Sequence, residues 1–165
     1  MIPALFASVF IVLCLYAAVK DVETLTISNG LNAIIAFLFI PAVIITAPGW
    51  DVAGAHLLAG LAAFAISVLL FSLGVFGGGD AKMIPGVMLW LGPAAAIPFM
   101  TAMAVLGGLL ALTVILVRRF VPARIAPAFA RETLLPGNGV PYGVAIAGGA
   151  IYAMPFSPLL SSLNF

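Results

Sequence analysis

Long apolar runs alternate with short polar breaks along this chain. The runs cover residues 4–19, 31–47, 53–74, 81–91, 95–117 and 139–155. A membrane-crossing helix needs about 20 apolar residues. The pattern therefore predicts an all-α, polytopic membrane bundle of six transmembrane helices, forming a single domain over residues 1–165. The breaks carry turn and interface residues: Lys20-Asp21-Val22-Glu23, then Pro48-Gly49-Trp50-Asp51, then Gly77-Gly78-Gly79-Asp80, then Gly92-Pro93. Ala55, Ala59 and Ala63 in the third run, and Ala145, Gly149 and Ala153 in the last, recur at every fourth position. Such stripes suit close helix contact. The first run begins without a basic leader, so it reads as a retained helix and not as a cleaved signal peptide.

The fourth run is short. Residues 81–91 span only about 17 Å as a helix, against about 30 Å of hydrocarbon. Either this helix begins well inside the membrane, or a kinked continuation past Pro93 completes it. The first arrangement places Asp80 below the membrane surface, where irregular backbone is tolerated only beside protein or a water-filled cleft. The longest connection, residues 118–137, mixes Arg118, Arg119, Arg124 and Arg131 with Phe120, Val121, Ile125 and Phe129. That mixture predicts a helix lying on the membrane surface.

Composition agrees with the pattern. The chain is 65% hydrophobic and 7% charged, with a mean hydropathy of +1.33. A soluble domain carries about 25% charged residues. A net charge of +1 supplies no basic field for nucleic acid. Cys14 is alone, which excludes an intramolecular disulfide and a cysteine-based zinc site. Lys20, Lys82 and all four arginines fall in the first, third and fifth connections; the second and fourth carry none. Cationic loops face the cytoplasm. The expected topology thus has both termini outside and puts Asp21 and Asp80 at one cytoplasmic face.

That coincidence defines the candidate chemistry. Two facing carboxylates share a proton, one staying ionised while the other is protonated. The ionised acid takes a proton from water and the protonated one polarises a scissile carbonyl. No metal or other cofactor is required. Gly77, Gly78 and Gly79 open backbone angles closed to other residues and let an extended substrate chain approach Asp80. His56 is the only histidine and is assigned to the opposite face, which disfavours a serine–histidine pair or a histidine metal site at Asp80. Lys82 lacks the Gly-Lys-Ser/Thr ending of a phosphate-binding loop.

Each feature has a plainer reading. A glycine-rich turn carrying an Asp is often only a tight turn. Asp21 beside Lys20 can be an interfacial pair, and the arginines a topology signal with lipid-headgroup contact. Two further functions compete with a peptidase. A small transporter also uses broken helices and membrane-depth acids, although no repeat relates the two halves. A non-enzymatic subunit of a pilus or secretion assembly would tolerate neutral replacement of both aspartates.

The residues resemble the type IV prepilin peptidases, membrane aspartic proteases with a GxGD motif and an earlier aspartate at the end of the first helix. Gly77-Gly78-Gly79-Asp80 fits that motif, and Ala81-Lys82-Met83 continues it. Asp21 with Ile27-Ser28-Asn29 resembles the first motif, and Pro141-Tyr142-Gly143 the segment opening the last helix. Ser28 stands where proline is common, and Glu23 where many members carry a basic residue. The resemblance implies removal of a short polar leader from prepilin-like proteins at the cytoplasmic face of the bacterial inner membrane, with the substrate's apolar helix in the bilayer. It implies that Asp21 and Asp80 activate water, that Gly77 and Gly79 shape the loop, and that Lys82 orients a carboxylate or lowers a pKa. Asn29, Pro141, Tyr142 and Gly143 support the site. The larger bifunctional members have a cytoplasmic region with paired cysteines and also N-methylate. This chain has no such region and resembles the minimal members of tight-adherence (Flp-type) pili, so a peptidase without methyltransferase activity is expected.

Overall fold

The computed structural model describes residues 2–121, 125 and 127–161. The described residues form helices and short 3-10 turns, with no strand. Among the described residues, four stretches are long and apolar enough to cross a membrane: Ala4–Thr24, Asn29–Thr46, Trp50–Ser72 and Pro93–Phe120.

Helix α1 (Ile2–Thr24) runs past the expected end at residue 19. The Lys20-to-Glu23 stretch, expected as a polar break, is its last turn, supported by a 2.7 Å ion pair between Lys20 and Glu23. The helix stops at Leu25, whose φ of 51° is left-handed and whose N–H still reaches the Asp21 carbonyl at 2.9 Å. Asp21 is therefore a helical residue. Helix α2 (Asn29–Phe37) starts where the Ser28 hydroxyl accepts from the Leu31 N–H, a side-chain N-cap.

The second apolar run forms one candidate span in two pieces. It is interrupted at Leu38, which keeps right-handed helical backbone, and α3 (Phe39–Thr46) follows. Pro41 has no N–H for the Phe37 carbonyl and its ring crowds that group. Helix α4 (Trp50–Ser72) buries His56, Gly60 and Ser67. Its contact face is thus centred on Gly60, with Ala59 and Ala63 at its edge. A Cβ on Gly60 would lie 2.5 Å from Leu89 Cδ2, so any larger residue there would require the Leu89 side chain to move.

The short fourth run forms α5 (Gly78–Leu91), about 21 Å long. It begins inside the glycine motif, so Asp80 lies in its first turn. Gly92, at φ 71°, ends it. Past Pro93 a 3-10 turn leads into α6 (Ala96–Phe120), the next long helix, and does not complete α5. A short helix is workable here because α5 is surrounded by protein. Residues Ala81, Met83 to Met88, Trp90 and Leu91 are buried, the all-round apolar pattern of a central helix. It packs against α4, α2 and α8 (Gly143–Ala153). Trp90 is fully buried, stacks on Phe10 at 5.0 Å and donates to the Ile35 carbonyl at 2.8 Å.

The last apolar run becomes helical at Gly143 and not at 139. Val140 precedes Pro141 and is pushed toward extended backbone. Helix α8 packs between α1 and α6, burying Ala145, Gly149 and Ala153. A 3-10 turn (Met154–Phe156) and α9 (Pro158–Ser161) close the described chain. Residues 122–124 and 126 of the expected surface helix lie outside the described residues; the described residues 127–137 form a 3-10 turn (Ala128–Ala130) and a four-residue α7 (Arg131–Leu134). Pro127 and Pro136 bracket these pieces and interrupt a longer helix. Helix α7 packs on α1. Arg124 lies outside the described residues.

Candidate active site

Three helix ends meet at one end of the bundle. The last turns of α1 bring in Asp21, only 5% exposed. The start of α8 supplies the Gly143 N–H, which donates to Asp21 Oδ2 at 2.8 Å. The first turn of α5 supplies Asp80, which accepts a backbone hydrogen bond from Gly77. Both carboxyl groups line one cleft of about 550 Å³, walled by Leu25, Phe76, Val140 and Tyr142.

The glycines explain how the groups come so close. A Cβ on Gly77 would sit 3.0 Å from Asp80 Oδ2. A Cβ on Gly79 would sit 3.2 Å from the Ile27 backbone nitrogen. One on Gly143 would sit 3.0 Å from Asp21 Oδ2 and 3.1 Å from Asp21 Cβ. Gly78 differs, since its Cβ would make only an ordinary 3.5 Å contact with Phe71. An added Cβ is thus crowded at Gly77 by the Asp80 side chain and at Gly79 by the Ile27 backbone, and unhindered at Gly78, a distinction that three identical letters conceal.

Asp80 lies in the first turn of α5, outside the four candidate spans. Burial first, and the Asp21 charge second, push its carboxyl up to about 7, against the pull of Gly77. Near neutral pH this group therefore carries a proton much of the time. A buried acid that holds a proton beside a second carboxyl has the composition of an acid–base pair.

Other expected site residues fall differently. Lys82 points away from the cleft and donates to Asn29 Oδ1 at 2.7 Å. Both line a separate apolar groove of about 520 Å³ between α2, α4 and α5. Lys82 is not among the groups that shift Asp80. Tyr142 is in the cleft wall, its hydroxyl packed where a Cβ on Gly107 would stand. Pro141 is buried just behind it. His56 is 1% exposed and bonds the Leu89 carbonyl through Nδ1. That contact is near the far end of α5, about 14 Å of helix from Asp80. Among the described residues no group of three His, Cys, Asp or Glu side chains could hold a metal ion.

Two residues near the cleft make contacts that the sequence does not signal. Thr133, buried, donates to the Val22 carbonyl at 2.7 Å. Arg118 bonds the Thr133 and Gly139 carbonyls. Charge pattern alone gives Arg118 only a topological meaning.

The sequence profile of the type IV leader peptidase family matches residues 8–112, more than half of the chain. The chain belongs to that family. The matched stretch contains both aspartates and the glycine motif and stops before Gly143. No curated protein and no solved structure matches the chain significantly. Membership implies a peptidase of the leader peptidase kind, with a prepilin-like substrate and a membrane setting.

Proposed function

We propose that this leader peptidase is an aspartic endopeptidase in which Asp21 and Asp80 activate a water molecule between them. The observation that carries this reading is that two acids far apart in sequence line one cleft where three helix ends meet; burial and the Asp21 charge, which push the Asp80 carboxyl up to about 7, agree with it. Asp80 donates a hydrogen bond to the scissile carbonyl while Asp21 takes the water's proton. As the carbon–nitrogen bond breaks, a proton passes to the leaving amine. Gly77 and Gly79 leave the Asp80 side of the cleft free of side chains, so an extended peptide can lie against the backbone.

The substrate is the short polar leader of a Flp-type prepilin-like protein, with its apolar helix in the bilayer. The spans over residues 81–91 and 139–155 complete a six-crossing bundle with both termini outside. Lys20, Lys82 and Arg118 gather at the cleft end of the bundle, which supports a cytoplasmic active site. The connection between α1 and α2, Leu25 to Ser28, has no room for a cysteine-bearing region, which supports a peptidase without methyltransferase activity.

Cleavage of a co-expressed prepilin-like protein, at matched protein levels, tests the reading. Wild type cuts; Asp21→Asn and Asp80→Asn do not. Normal cleavage by both variants would refute it.

The pH profile is a second check. Catalysis needs one carboxyl protonated and one ionised. The rate should fall as pH rises through about 7, where Asp80 loses its proton. It should fall again on the acid side, as the second carboxyl gains one, giving a bell. A cleavage rate still climbing between about pH 7 and about pH 9 would contradict a protonated Asp80.

A further inference from the structure

Two polar side chains outside the cleft converge on the segment that carries its wall. Arg118, in the last turn of α6, donates to the Thr133 carbonyl from Nε at 3.0 Å and from Nη2 at 2.5 Å. Its Nη2 also reaches the Gly139 carbonyl at 2.8 Å. The Thr133 hydroxyl, in turn, donates to the carbonyl of Val22 at 2.7 Å, the residue after Asp21. Residues 133–139 are thereby a strap, tied to the end of α1 by Thr133 and to the end of α6 by Arg118. Beyond Gly139 the chain passes through Val140 and Tyr142 in the cleft wall. It then reaches Gly143, whose N–H holds Asp21.

The chemistry of the tie is specific. Arg118 donates to main-chain carbonyls, and the one ion pair among the described residues is Lys20 with Glu23. A planar guanidinium can hold two carbonyls at fixed spacing; a lysine ammonium is a point charge on a flexible stem. A residue kept only for positive charge at the cytoplasmic face would be served by either.

We propose that Arg118 and Thr133 are positioning residues for Asp21. Through the strap they fix where the Gly143 N–H lies and hence where the Asp21 carboxylate points. This rests on Asp21 being a catalytic acid, and neither Arg118 nor Thr133 touches substrate.

The test uses the purified full chain in nanodiscs, a prepilin-like protein as substrate, and four variants: Arg118→Lys, Thr133→Val, Thr133→Ser and the Arg118→Lys/Thr133→Val double. Lysine keeps the charge that sets topology, valine keeps the shape of threonine, and serine keeps its hydroxyl. Arg118→Lys and Thr133→Val should each lower kcat about tenfold or more, since small misplacements of catalytic groups are costly, with KM within about twofold. Thr133→Ser should restore kcat. The double variant should cost little more than the worse single, because both act through one strap. Unchanged kcat per folded molecule, or fully additive losses, would overturn the proposal.

Hydrogen exchange at the Gly143 amide gives an answer independent of catalysis. As the first residue of α8 it has no intrahelical partner, so its protection reports the bond to Asp21. Exchange should quicken in Arg118→Lys and Thr133→Val and stay slow in Thr133→Ser. If wild type cuts no substrate, or Asp21→Asn cuts normally, the aspartic reading fails. The strap is then judged on exchange alone, and unaltered Gly143 protection in both variants overturns it.

Discussion

Asp80→Asn is expected to reduce leader cleavage by about 10²–10⁴-fold while leaving the amount of folded protein unchanged. The amide has the size of the carboxyl, and its oxygen can still accept from Gly77, so the first turn of α5 keeps its geometry. What disappears is the proton. Asparagine cannot hold a titratable proton for the scissile carbonyl or return one to the leaving amine. Asp21→Asn should do comparable damage from the other side, since an amide does not accept a proton from water. Its oxygen can still meet the Gly143 N–H, so folding again survives. Groups that work as one unit lose their function once, and the losses do not multiply. The double Asn variant should therefore be about as inactive as either single one. The measurement is single-turnover cleavage with purified variants at matched folded concentration. Activity of Asp80→Asn within about tenfold of wild type would remove it from the chemistry.

Both acids were legible in the sequence because acids are scarce there. Five Asp and Glu residues occur in 165; the charge pattern put four of them at one membrane face, and of these Asp21 and Asp80 stood at the helix ends that carry the motifs. The same frugality made α5 readable as an oddity, too short for a crossing. Why it can be short was not readable, because burial by α2, α4 and α8 is a tertiary fact. Boundaries drifted where local chemistry outweighed hydropathy. The Lys20–Glu23 pair extended α1 through a stretch that looked like a loop. Pro41 interrupts the helix of the second run at Leu38 without ending the span, and Val140-Pro141 delayed the start of α8. Lys82 lies beside the motif in sequence, yet Asp80 and Lys82 are two positions apart on a helix and so leave from opposite faces. Lys82 consequently meets Asn29 and not the cleft. Gly143 entered only through family resemblance. Its role as hydrogen-bond donor to Asp21 is carried by a backbone atom, which no side-chain pattern reports.

Two glycines of α8 give the second large prediction, because the same kind of substitution should fail in different ways. Gly143 faces a catalytic side chain. A Cβ there would meet Asp21 Oδ2 at 3.0 Å, Asp21 Cβ at 3.1 Å and Ile27 Cδ1 at 3.0 Å. These are mainly side-chain atoms that can shift by a few tenths of an ångström, and alanine keeps the N–H. Gly143→Ala should therefore fold, with a stability change under about 1 kcal/mol, helix propensity offsetting the crowding. Cleavage should nevertheless fall by about 10–10²-fold, because the carboxylate moves from its working position. Gly149 faces backbone. A Cβ there would lie 3.0 Å from the Met103 nitrogen and 3.1 Å from the Phe99 carbonyl oxygen, and neither can move without separating α6 from α8. Gly149→Val should destabilise the bundle by about 1–3 kcal/mol, read as a lower thermal midpoint in detergent. The molecules that stay folded should cut at nearly the wild-type rate, since α6 and α8 meet there away from the cleft. Gly108→Ala is the control, because nothing lies within 4 Å of its added Cβ. If Gly143→Ala lost stability and activity in proportion, as Gly149→Val should in unfractionated protein, then Gly143 would be a packing glycine and the Asp21 carboxylate would not depend on its placement there.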